Sequence, residues 1–151
     1  MEISASIRID RRIDDVFSFV SRVENMARWV SGVSAARLLS PVVDKGARFE
    51  VDYTSTWRKN AVEFEISEYE PPHLMGLVAA RGPFAFRGRL KLAESDGTTE
   101  VTNEIEADPD SLSTRLVTVA LGPLLSNKLR ERLRRELLAL DQAITGSASL
   151  A

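Results

Sequence analysis

Apolar positions along the chain follow two periods. Glu2 to Asp10 alternates, placing Ile3, Ala5, Ile7 and Ile9 on one face of a strand. The period then changes: Ile13, Val16, Phe17 and Val20 fall at i, i+3, i+4 and i+7, an amphipathic helix of about two turns. A second short helical piece carries Val23, Met26, Ala27 and Trp29. Helices this short need an apolar surface to lean on.

From Gly32 to Asp108 the pattern reads almost entirely as strand. Phe49, Val51, Tyr53 and Ser55 alternate with Glu50, Asp52, Thr54 and Thr56. Arg58-Lys-Asn60 reads as a turn, after which Val62, Phe64 and Ile66 alternate with Glu63, Glu65 and Ser67. Pro71-Pro72 ends that strand and His73 to Arg81 begins another. Gly82-Pro83 turns the chain into Phe84, Phe86, Gly88, Leu90 and Leu92. Asp96-Gly97 is a strong hairpin signal leading into Val101, Asn103, Ile105 and Ala107. Such one-sided alternation predicts an antiparallel sheet with one wet and one covered face.

The C-terminal stretch supplies the cover. Leu121, Leu125, Leu129, Leu133, Leu137, Leu140 and Ile144 form an apolar stripe on a long helix, which Asp110 or Ser111 can cap. Pro123 removes a backbone donor and disfavours helix at Gly122, so a kink or break is expected there. Gly146 is expected to stop the helix. The chain reads as one domain over residues 1–146, with a disordered tail at 147–151.

Composition narrows the chemistry. The 151 residues are 44% hydrophobic and 28% charged, which excludes a disordered chain. Twenty Lys and Arg against 22 Asp and Glu leave a net charge of −2, so bulk charge does not steer the protein onto nucleic acid. Absence of cysteine excludes disulfides, thiol chemistry and cysteine metal sites, and one histidine, His73, excludes a multi-histidine site. No metal or cofactor is expected. The N-terminus lacks the apolar core of a secretory signal. The longest uncharged run, Leu116–Asn127, has 12 residues and contains Gly122-Pro123, whereas a membrane span needs about 20. A cytoplasmic protein without stable membrane insertion is the expectation. Phosphate-loop, nucleophile-elbow, dinucleotide and calcium-loop motifs are all absent.

The order of elements, with particular residues, resembles the START-like superfamily, also called the SRPBCC or polyketide cyclase/dehydrase family. Val16-Phe17 opens the first helix and Trp29-x-x-x-Val33 leads into the second strand. Gly46-Ala-Arg-Phe49 precedes the third strand, Glu68-x-x-Pro71-Pro72 closes the fourth, and Gly97-Thr98-Thr99-x-Val101 enters the last. The resemblance covers about residues 2–145. It implies an α+β helix-grip fold: a seven-stranded antiparallel sheet wrapped around the long C-terminal helix, with two short helices between strands one and two. It also implies a cavity between sheet and helix. Members bind lipids, sterols, polyketides, quinones or plant hormones, and some catalyse ring cyclisation or dehydration, so the resemblance fixes fold far better than reaction.

Within that frame the small residues Gly76, Ala79, Ala80 and Gly88 mark either a ligand cavity or close strand–helix approaches. The candidate lining is Trp29, Phe49, Val51, Tyr53, Phe64, Ala79, Phe86, Asn103, Val117 and Leu121. Asn103, in phase with Val101 and Ile105, should point inward; an unpaired buried amide costs about 1–3 kcal/mol, and Tyr53 is a candidate partner. Arg81 either meets a ligand carboxylate or lies exposed beside its turn. His73 takes a rim position. The covered face of the sheet carries no carboxylate, and Glu63, Glu65, Glu104 and Glu106 are in wet-face phase. The expected function is binding of a hydrophobic or amphipathic small molecule. The alternative is a cyclase or dehydratase that would use Tyr53, Asn103 and Arg81. Lys128, Arg130, Arg132, Arg134 and Arg135 read as a solvated helix face, a partner surface being the other reading. Whether the protein forms a homodimer stays open.

Overall fold

The computed structural model describes the backbone over residues 2–55, 58–79, 86–107 and 112–149, and side chains over 2–54, 61–79, 87–106 and 127–146. Strand β1 (Glu2–Ile9) is followed by helix α1 (Ile13–Val20), a 3-10 turn (Val23–Asn25) and helix α2 (Met26–Trp29). Six strands follow: β2 (Val33–Leu38), β3 (Arg48–Ser55), β4 (Arg58–Glu70), β5 (Leu74–Ala79), β6 (Phe86–Ser95) and β7 (Thr98–Ala107). Helix α3 (Leu112–Ser149) completes the chain. All neighbouring strands pair antiparallel in one seven-stranded sheet of order β1-β7-β6-β5-β4-β3-β2.

The expected helix-grip architecture is present, and the period-two faces are sorted as the sequence required. Ile9, Phe49, Val51, Phe64, Ile66, Met75, Leu90, Leu92 and Val101 are buried on the inner face. They meet Ile13, Val16, Phe17 and Val20 of α1, Trp29 of α2, and Leu137, Leu140 and Ile144 of α3. Phe49 and Phe64 stack at the centre, with ring centroids 5.4 Å apart. On the outer face Arg48 pairs with Glu63 and Lys91 with Glu104, at 3.1 and 2.9 Å. Arg37 bonds Glu50 and Asp52 there too. The Asp96-Gly97 hairpin forms as predicted: both residues have positive φ, 52° and 79°, which the tight turn demands.

Four local expectations are corrected. Arg58, Lys59 and Asn60 are not a turn; they already belong to β4, paired with Ser55, Thr54 and Tyr53. Of the kink or break expected at Gly122-Pro123, the break does not occur: helix α3 runs through it, so the lost donor at Pro123 is tolerated within a helix 38 residues long. Nor does Gly146 stop it, since helix continues to Ser149; a glycine inside a helix costs only about 1 kcal/mol relative to alanine. Gly76 does not face the covered side. A Cβ there would stand 3.0 Å from the Glu68 Cβ and 3.1 Å from the Ser67 Oγ, beside the β4 irregularity between Ile66 and Glu68. Its smallness serves a close approach on the outer face. The Asp110/Ser111 cap and Ala80, Arg81, Gly82 and Pro83 lie outside the described residues.

Candidate functional site

Register places the candidate residues in rows across the inner face. Ile3, Ile105, Gly88, Leu77 and Ile66 are successive partners from β1 to β4. One row away, Ala5, Asn103, Leu90 and Met75 are partners in the same way. Ala79, Phe64, Phe49 and Leu38 run from β5 to β2. These rows differ in packing. Phe49, Val51, Phe64 and Ile66 are sealed, whereas Leu77, Ala79, Gly88 and Ile105 stay half-buried although they face the covered side. A Cβ added at Gly88 would find only the Glu104 carbonyl oxygen, at 4.0 Å, among the described residues. Among the described residues, Gly88 thus has room beside it that Gly76 lacks.

Asn103 borders this loosely filled patch. Its side chain does point inward, being 8% exposed. Among the described residues no hydrogen bond engages its amide, and the proposed Tyr53 partner is not one. Tyr53 lies on β3, four strands away from β7 in the sheet order. Among the described residues, then, nothing occupies the donors and acceptor of the amide that stands between Ala5 and Leu90.

Tyr53 has different company. It is half-buried and packs on the core at the corner where α2 hands the chain to β2. Val33 is its strand partner, and the adjacent Thr54 N–H donates to the Gly32 carbonyl at 2.8 Å. Gly32 takes φ +80°, a conformation that favours glycine, and its Cβ position lies 3.9 Å from the Tyr53 ring. Burial pushes the Tyr53 phenol above its ordinary pKa; Arg132 pulls it back and Glu136 adds to the push.

Glu136 is the functional candidate that pattern reading missed. Among the described residues of the sheet no carboxylate is buried on the covered face, but α3 brings one to it. Glu136 is 5% exposed, and its Oε1 accepts from the Ser31 backbone N–H at 3.2 Å and from Arg132 Nε at 3.0 Å. Arg132 Nη2 also donates to the Ser31 carbonyl, at 3.0 Å. Arg132 therefore is not simply part of a solvated basic face. The available signal was spacing: Glu136 is three residues after Leu133 and four before Leu140, both buried.

Trp29 is buried as expected, yet its Nε1 has no hydrogen-bonding partner among the described residues. His73 is exposed on the β4–β5 turn, its Nδ1 3.4 Å from the Leu92 carbonyl oxygen, consistent with a rim position. The side chains of Phe86, Val117 and Leu121, and all of Arg81, lie outside the described residues. Among the described residues no cluster of three His, Cys, Asp or Glu side chains could hold a metal ion, and no helix is long and apolar enough to cross a membrane.

Comparison with known proteins fits this geometry. The model of a family described as polyketide cyclase / dehydrase and lipid transport matches residues 1–145. The chain belongs to that family. Within solved structures, a Thermus thermophilus protein aligns with TM-score 0.77 at 14% identity, covering 97% of this chain and 99% of that one. A Nitrosomonas europaea protein aligns with TM-score 0.76 at 10% identity, covering 99% and 97%. The di-domain ARO/CYC protein BexL, from a biosynthetic pathway, aligns with TM-score 0.68 at 18% identity over 94% of this chain; this family member spans only 49% of BexL. At such identities the likeness is one of fold. No protein of curated description matches the sequence.

Proposed function

We propose that this family member binds a hydrophobic or amphipathic small molecule, of lipid, polyketide or quinone type, between the inner face of the sheet and α3. The observation that carries the reading is the half-buried patch of Leu77, Ala79, Gly88 and Ile105 beside an inward Asn103 that has no hydrogen-bonding partner among the described residues. Apolar contact would supply most of the affinity, at about 25 cal/mol per Å² before ordering costs, with Asn103 and Tyr53 orienting the polar groups. The family description, which joins lipid transport with polyketide chemistry, supports this ligand class. Native mass spectrometry of the purified protein tests it. A co-purifying small molecule, identified from the denatured extract, is the expected result. Protein that stays unliganded when incubated with fatty acids, quinones and aromatic polyketides would refute it.

The second reading is a cyclase or dehydratase working in the same space. It is favoured by the likeness to an ARO/CYC protein and by the half-buried Tyr53 phenol, able to donate to a developing enolate. Tyr53 and Asn103, with Arg81 if it points inward, would polarise a substrate carbonyl. Tyr53→Phe separates the two: turnover of a polyketide substrate should fall about 100-fold or more in an enzyme, while a binder loses only part of its affinity.

A further inference from the structure

The corner formed by α2, the start of β2 and one turn of α3 gathers polar groups that nothing in the described fold consumes. Glu136 is nearly inaccessible, yet both of its hydrogen bonds among the described residues end on a single oxygen, Oε1. A carboxylate can accept about four, so Oε2 keeps its capacity. Tyr53 is half-buried at the same corner: its ring is 3.9 Å from the Cβ position of Gly32, the neighbour of the Ser31 that holds Glu136, and its hydroxyl has no hydrogen-bonding partner among the described residues. On the same corner, two residues before Ser31, Trp29 holds a buried indole N–H with no acceptor among the described residues. An unpaired buried donor destabilises the fold, and folds rarely tolerate one without an occupant for the place.

A carboxylate and a phenol thus stand about Ser31 and Gly32, with the buried indole N–H two residues earlier on the chain. Groups that complete such a set must both donate and accept, which a hydroxyl does and a carbonyl or hydrocarbon does not. We propose that the Tyr53–Glu136–Trp29 corner is the polar anchor of the ligand site, and that it selects ligands bearing an alcoholic or phenolic hydroxyl. This inference rests on the binding function proposed above and specifies the ligand within it. Arg132 and Ser31 take the role of positioning groups: they hold Glu136 Oε1 and so leave Oε2 for the guest.

A matched pair of probes tests the anchor on the full-length protein. 1-Naphthol and 1-methylnaphthalene have nearly the same shape, and only the first carries a hydroxyl. Binding of each is measured by equilibrium dialysis, for the wild type and for Glu136→Gln and Tyr53→Phe. Glu136→Gln keeps an oxygen for Ser31 and Arg132, so the corner retains its shape. The wild type should prefer 1-naphthol by about 10-fold or more, the worth of a hydrogen bond to a charged group. In both variants that preference should shrink to about 3-fold or less, with 1-methylnaphthalene binding unchanged. Equal wild-type affinity for the two probes, or full preference kept in both variants, would overturn the anchor while leaving the apolar cavity standing. Failure of both probes to bind at all would overturn the cavity and the anchor together.

Discussion

Asn103 and Tyr53 each stand at a period-two position among apolar neighbours, yet the two have different physics. Asn103 is 8% exposed and without a partner among the described residues, so no hydrogen bond among them stabilises the fold through its amide. Asn103→Leu should therefore leave the protein as stable or raise Tm by about 2–4 °C, the shift about 1 kcal/mol produces at this size, while weakening ligand binding. Differential scanning calorimetry beside a binding assay checks it; a marked loss of Tm would mean the amide is structurally bonded. Tyr53 makes a prediction about alkaline pH. Burial raises its pKa in the fold, so the folded protein holds the phenolic proton more tightly than the unfolded chain does. The corresponding stability is fully present below pH about 10, the unfolded value, and is lost as pH climbs through the raised folded value. Urea denaturation from pH 9 to 11 should show a decline that Tyr53→Phe makes shallower. The inward phase of Asn103 was legible because strand parity is local. The company of Tyr53 was not, because Arg132 and Glu136 lie some eighty residues later and reach it only through the rotation of α3.

Elements were legible where periodicity and turn chemistry agreed, and misread where one rule stood alone. β1, α1 and the β6–β7 hairpin carry a clean period with a matching terminus, and they appear within a residue or two of their expected places. The turn assigned to Arg58-Lys-Asn60 rested on polarity only, and polar residues are equally at home on a strand's wet face. Gly146 and Pro123 are breakers by intrinsic preference, but α3 has Leu133, Leu137, Leu140 and Ile144 packed into the core, and packing outweighs one or two poor helix formers. Gly76 shows the same lesson on a strand. It was grouped with Gly88 by size, yet the Glu68–Arg89 ion pair, at 2.9 Å, joins the residues paired on either side of it. Gly76→Ala should cost about 1–3 kcal/mol through overpacking against Glu68 and Ser67, whereas Gly88→Ala should cost less and instead narrow the ligand space. Urea midpoints for the two variants decide the matter: an equal cost would put both glycines in the same environment.

Across the whole molecule, charge and apolar surface are segregated by sheet face. The ion pairs of Arg48 with Glu63 and Lys91 with Glu104 stand on the outer face, where exposed pairs contribute about 0–1 kcal/mol each. Stability therefore comes from the inner face, whose sealed centre around Phe49 and Phe64 gives way to the half-filled region at Gly88. The sheet order begins at β1 and ends at β2, and these two strands do not pair with each other. A closed barrel fixes its bore by a count of strands and their stagger. An unclosed wall has no such fixed circumference. Its two margins can splay or draw together without severing a ladder bond, so under the binding function proposed above a guest's girth would be limited by how far they part, and slim and stout guests would share one scaffold.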